Sequence, residues 1–107
     1  MSASVEFVAY VKDLFFPLGE VKAGKFFGGF AFKMGSRQFA MIMHNTLYFC
    51  VDDLSRPQYE KLGMAPFSYA TKHGRVQVKK YYTAPEELFE DREKLIQWAN
   101  NAIQSAG

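Results

Sequence analysis

Apolar positions recur at two different periods along the 107 residues, and the change of period divides the chain. Val8, Val11, Leu14, Phe15 and Leu18 follow one another at three- and four-residue steps, the spacing of one helix face. Ser4 stands where an N-cap belongs, with Glu6 in the first turn. Pro17 disfavours helical geometry at Phe16 and Gly19 suits the turn beyond, so the helix is predicted to stop near Phe16. From Glu20 to Val51 the period falls to two, punctuated by Gly28-Gly29, Gly35-Ser36 and Asn45-Thr46, which reads as an antiparallel meander. In one strand Phe39, Met41 and Met43 alternate with Gln38, Ala40 and Ile42, and the methionines are read as core filling. The run Leu47 to Val51 is apolar on both faces, as a central strand under helices would be.

After Asp52-Asp53, Ser55 is placed to cap a helix of about two turns, with Pro57 in its first turn and Gly63 as its terminator. Phe67-Ser68-Tyr69 and Val76 to Lys79 read as a strand pair joined through Lys72-His73-Gly74-Arg75. Thr83-Ala84-Pro85-Glu86 has the spacing of a capping box, and Asp91 can cap a further helix. There Leu95, Trp98, Ala99, Ala102 and Ile103 form an apolar side, while Gln97, Asn100, Asn101 and Gln104 can face water. Helices and strands are segregated, and the meander connections are too short for parallel crossovers, so the class is α+β. No linker, repeat or low-complexity tract interrupts residues 1–107, which read as one domain.

Composition supports this picture: 49% of the residues are apolar and 17% aromatic, enough for a core without staples. The net charge of +2 is too small to mark the whole surface for nucleic acid or membrane, but its distribution is uneven. Residues 1–53 carry five basic and five acidic groups, residues 54–83 six against one, and residues 84–107 two against five. The lone Cys50 cannot form an intrachain disulfide, which points to a reducing cytoplasm. Glu6, Lys12 and Asp13 break up the first twenty residues, so no secretory leader or anchor is read, and a soluble protein is expected.

Candidate chemistry is sparse. Gly28-Gly29 lacks the Lys-Ser/Thr of a phosphate loop and is read as a bulge or tight turn whose flanking aromatics pack in the core. His44 and His73 each fall at a predicted turn, and no Cys or His stands at metal-ligand spacing from Cys50. Asp52 and Asp53 are assigned to turn and cap duty, and Cys50, inside the most apolar strand, to the core. No catalytic, cofactor-binding or metal-binding residue is therefore assigned. The best local hint of a ligand is the basic stretch of Lys72, Arg75, Lys79 and Lys80, with His73 and Tyr69, Tyr81 and Tyr82 nearby, which suits phosphate contacts beside stacking rings. Its plainer counterpart is an ordinary solvated edge, since lysine protects exposed strands. The charge asymmetry also admits an isologous dimer in which the basic segment of one copy meets the acidic helices of another.

Several spaced segments resemble one family. Gly24-Lys25-Phe26-Phe27-Gly28-Gly29-Phe30-Ala31-Phe32, Phe39-Ala40-Met41-Ile42 and Thr46 to Asp53 look like the TfoX N-terminal domain. Pro66-Phe67-Ser68-Tyr69, Lys80-Tyr81-Tyr82, Pro85-Glu86-Glu87-Leu88 and Trp98-Ala99 agree in order, so the resemblance runs from Phe7 to Ile103. It implies a two-layer fold, similar to secretion-chaperone-like folds, in which a mostly antiparallel sheet of five or six strands packs against N- and C-terminal helices. The family is bacterial and named for regulators of natural competence and DNA uptake, whose longer members add a second, helical domain. This sequence ends at Gly107, and a stand-alone domain is expected. The resemblance supplies no catalytic or cofactor residues. Its marked positions, Phe26, Phe27, Gly28, Gly29, Tyr48, Asp52 and Asp53, are expected to serve core, turns and caps. The functional expectation is a non-enzymatic, regulatory protein-interaction module. The alternative is nucleic-acid binding through Lys72, Arg75, Lys79 and Lys80, followed by a small-molecule site.

Overall fold

The structure, a computed structural model, describes residues 4–107. Ser4 closes the first turn of α1 (Val5–Leu14) by accepting a hydrogen bond from the Phe7 amide at 3.1 Å. A single 3₁₀ turn at Phe16–Leu18, with Pro17 inside it, delivers the chain to the sheet. The strands are β1 (Val21–Phe26), β2 (Gly29–Met34), β3 (Arg37–Met43) and β4 (Thr46–Cys50), then β5 (Pro66–Thr71) and β6 (Gly74–Thr83) after the short α2 (Arg56–Lys61). A second 3₁₀ turn, Glu86–Glu90, leads to α3 (Arg92–Ser105), which Asp91 caps through the Lys94 amide. The six strands form one sheet in the order β1-β2-β3-β4-β6-β5, with every pairing antiparallel, so the α+β architecture is as the segregated pattern predicts.

One face of the sheet meets the helices. Val8, Val11 and Phe15 from the first helical segment and Leu95, Ala99 and Ala102 from α3 close over Phe32, Phe39, Ala40, Ile42, Leu47 and Phe49, all buried. α2 adds Tyr59, whose ring meets Trp98 edge-on at 4.8 Å, and is held to β6 by the Tyr82 hydroxyl donating to Glu60 and by Arg56 Nε donating to the Lys79 carbonyl. Among the described residues no helix is long and apolar enough to cross a membrane.

Three local readings of the sequence need correction. The alternation expected for Phe39, Met41 and Met43 breaks, because β2 and β3 shift register so that Phe32 faces Ala40 and Lys33 faces Gln38. Phe39 is the extra residue of this bulge and joins Ala40 and Ile42 on the helical face, while Met41 and Met43 point to the other. Ser55 begins α2 without capping it, since its hydroxyl accepts from the Asp52 amide at 3.0 Å. The carboxylate of Asp52 instead takes the Leu54 and Ser55 amides at 3.0 and 2.9 Å. The capping box at Thr83 does not form either, because β6 keeps Thr83, whose amide and hydroxyl both donate to the Ala65 carbonyl.

The Asp52 turn gives a pH test. The Ser55 backbone hydrogen bond, then further bonds from Ser55 and Leu54, hold its carboxyl below the ordinary carboxylate range against a weaker desolvation effect. A carboxyl depressed on folding contributes stability above its unfolded pKa and loses it as pH falls through its folded value. Asp52→Asn keeps an acceptor oxygen but not the charge. The variant is expected to melt below wild type at pH 7, with the gap narrowing towards pH 3; a gap that does not depend on pH would refute the assignment.

Candidate functional site

The second face of the sheet is roofed in part by the β5–β6 hairpin. Between the Pro66–Tyr82 and Phe67–Val78 pairs the register jumps, leaving Lys79, Lys80 and Tyr81 without partners on β5 and bending β6. Below that break the hairpin leans over the sheet, so that Phe67 stands edge-on to Tyr48 at 5.3 Å. There Phe67 and Val78 pack with Met41, Met43, Cys50 and Tyr81. Tyr81 is pinned there, its hydroxyl accepting from Gln38 Nε2 at 3.1 Å. The buried Met41 and Met43 thus belong to a second, smaller apolar cluster and not to the core beneath the helices.

Where this roof ends, a hollow of about 510 Å³ opens between the hairpin and the tips of the meander, lined by Phe27, Met43, His44, Phe67 and Tyr69. Its walls are aromatic rings, a thioether and one imidazole. Two tight turns form its rim. The β1–β2 connection is Phe27-Gly28, with φ of 44° and 81°, and the β3–β4 connection is His44-Asn45, with φ of 54° and 55°. Positive φ at both central positions is what a type I′ hairpin turn demands, because its twist matches that of the flanking strands. The turns therefore sit one residue earlier than the sequence suggests: Gly29 and Thr46 begin strands, and Phe27 occupies the turn.

The family-marked residues divide accordingly. Phe26 packs on the second cluster and Tyr48 beside Phe67, while Gly28 supplies the turn and Gly29 a close approach of strands. Asp52 builds its turn and Asp53 pairs with Arg56 at 2.8 Å. Phe27 contradicts the expectation of a core aromatic. It is 88% exposed, touches Phe26 edge-on at 4.7 Å, and stands over the hollow. The pattern of an aromatic pair before Gly-Gly gave no means of telling Phe26 from Phe27, since a shift of one residue moves a side chain from a strand face to a turn.

The four candidate nucleic-acid contacts are all exposed on the hairpin but play unequal parts. Lys72 stands in the turn, and Arg75 is turned onto the Ser68 hydroxyl at 2.9 Å. Lys79 and Lys80 lie in the bend of β6, where their carbonyls hold Arg56 Nε and the Val51 amide. Cys50 is buried, and burial pushes its thiol up against the opposing pull of the Lys80 charge. His44 and His73 stand on different turns.

No curated protein matches the sequence. The description TfoX N-terminal domain matches residues 13–106, nearly the whole of it. Together with the antiparallel sheet between terminal helices, that match establishes that the chain belongs to the TfoX N-terminal domain family.

Proposed function

We propose that this chain is a non-catalytic regulatory module that works by binding, and that it captures an apolar segment of a protein partner in the hollow beneath Phe27. The observation that carries this reading is the conformation of Phe27. A bulky residue at φ 44° is strained, and here the strain brings no compensating burial, because the ring remains 88% exposed. Glycine or asparagine would serve the turn better. Strain held without structural return, at the mouth of an apolar hollow, is the mark of a residue kept for what it touches. Apart from the His44 imidazole and the Tyr69 hydroxyl the lining is apolar, which favours an aromatic or aliphatic side chain as occupant. Cys50, the one thiol, is sealed in the sheet and raised in pKa, which supports a binding role over nucleophilic chemistry and a reducing, cytoplasmic setting. Regulation, and competence and DNA uptake as its object, is supported by kinship alone.

Phe27→Asn separates stability from binding. It creates an Asn-Gly turn and is expected to raise stability by about 1 kcal/mol, the strain of a left-handed residue being removed. Peptides selected from a random display library on the wild-type protein, then titrated singly by fluorescence, are expected to carry an aromatic or long aliphatic anchor. They should lose at least about tenfold in affinity for the variant. A selection that yields no binder, or binders indifferent to Phe27→Asn, would overturn the proposal.

A further inference from the structure

None of the six strands carries an aspartate or glutamate. The acids stand on helices, 3₁₀ turns and the loops between elements, so the sheet layer is basic and the helical layer acidic. Two arginines on the strands already have partners, Arg37 in the Ile103 carbonyl and Arg75 in the Ser68 hydroxyl. The strand lysines differ. Among the described residues the ion pairs are Arg56 with Asp53 and Lys94 with Glu87, so no carboxylate comes within 4.0 Å of Lys22, Lys25, Lys33, Lys79 or Lys80.

Lys22 and Lys33 are the telling pair. They face each other directly across β1 and β2, on the face that also carries Gly24, Ala31 and Met41, and they line a groove of about 280 Å³ floored by that glycine and alanine. Lys25 lines the same groove. Like charges directly opposed on a ladder destabilise it, and an anion lying between them reverses the sign. The Lys22–Lys33 pair lies at the far end of the β1–β2 ribbon from Phe27, roughly 17 Å away at the rise of an antiparallel strand, and the groove shares no lining residue with the hollow. A single phosphate would answer the Lys22–Lys33 pair. Lysines spread over both halves of an acid-free sheet answer a ligand whose negative charge repeats.

We propose that the sheet layer binds the phosphate backbone of a nucleic acid, with the Lys22–Lys33 pair as its anchor and the hairpin lysines as a second point of attachment. This extends the hairpin reading of the sequence to strands that the charge count had passed over, and it does not depend on a peptide in the hollow.

The test is fluorescence anisotropy with labelled 20-nucleotide single-stranded DNA, single-stranded RNA and duplex DNA at 50 and 200 mM salt. Neutralising about five phosphates would weaken binding roughly a hundredfold over that range for the single strands and about five hundredfold for the duplex. Lys22→Gln with Lys33→Gln should flatten the logarithmic salt slope by about one to two units, and Lys94→Gln, on the helical layer, should leave it unchanged. The double variant should melt no lower than wild type, because a repulsive pair has been removed, which separates lost binding from lost fold. Binding of any of the three probes with these slopes supports the proposal. Absence of salt-dependent binding at 50 mM, or a slope that the double variant keeps, overturns it.

Discussion

Gly29→Ala is expected to cost about 3 kcal/mol and to lower the melting temperature by roughly 15 °C, although it adds one methyl group. Gly29 opens β2, where the strand closes on the end of β3. A Cβ there would fall within the Ile42 carbonyl and 2.7 Å from the Met43 sulfur. The thioether can move; the carbonyl belongs to the β2–β3 ladder and can yield only if the strands separate. Neighbouring glycines of the same motif provide the controls. Gly24 has open space around its missing side chain, and Gly24→Ala should be neutral or stabilise by up to about 1 kcal/mol. Gly28 sits at φ 81°, so Gly28→Val should cost about 1–2 kcal/mol through backbone strain. Thermal melts of the three variants distinguish crowding, freedom and strain. Equal effects at Gly24 and Gly29 would mean that the close approach to Ile42 has been misread.

These three glycines also show what the sequence makes legible. The period of the apolar residues locates every strand of the meander, because a sheet with one face under helices repeats every second residue. It cannot locate a bulge, since Phe39 breaks the alternation through a register choice made with β2 and not through its own residue type. Ser55 and Thr83 have the right chemistry for caps, but competing hydrogen bonds with Asp52 and Ala65 claim them. Of the candidate site, the basic hairpin was visible because its lysines are close in sequence. The wider acid-free sheet was not, because the acids before and after residues 21–51 balanced its lysines in any count that ignored element boundaries. The hollow depends on the bend of β6 bringing Phe67 and Tyr69 near Phe27, a long-range geometry that no local pattern encodes.

Phe15 is the counterpart of Phe27, and Phe15→Ala is expected to be the most damaging truncation of a single side chain, at about 4 kcal/mol. Its ring is fully buried and lies 5.2 Å from Phe32, 5.3 Å from Phe39 and 6.1 Å from Phe49, so one side chain joins the end of α1 to three strands. Truncation removes the edge-to-face contact with Phe32 and the tilted contacts with Phe39 and Phe49, and leaves a cavity that close-packed neighbours fill only in part. The loss is a large share of the 5–15 kcal/mol by which a domain of ordinary stability stays folded, and a drop of roughly 20 °C in the melting temperature should follow. Phe15→Leu, which refills much of the space, should recover more than half of it. Set beside the stabilisation expected for Phe27→Asn, the pair makes a sharp comparison: two phenylalanines, one indispensable to the fold and one held against the preference of its own backbone. If urea titration found Phe15→Ala within about 1 kcal/mol of wild type, the aromatic junction would not be the keystone of the helical face, and packing by Leu95 and Ala99 of α3 would have to carry it instead.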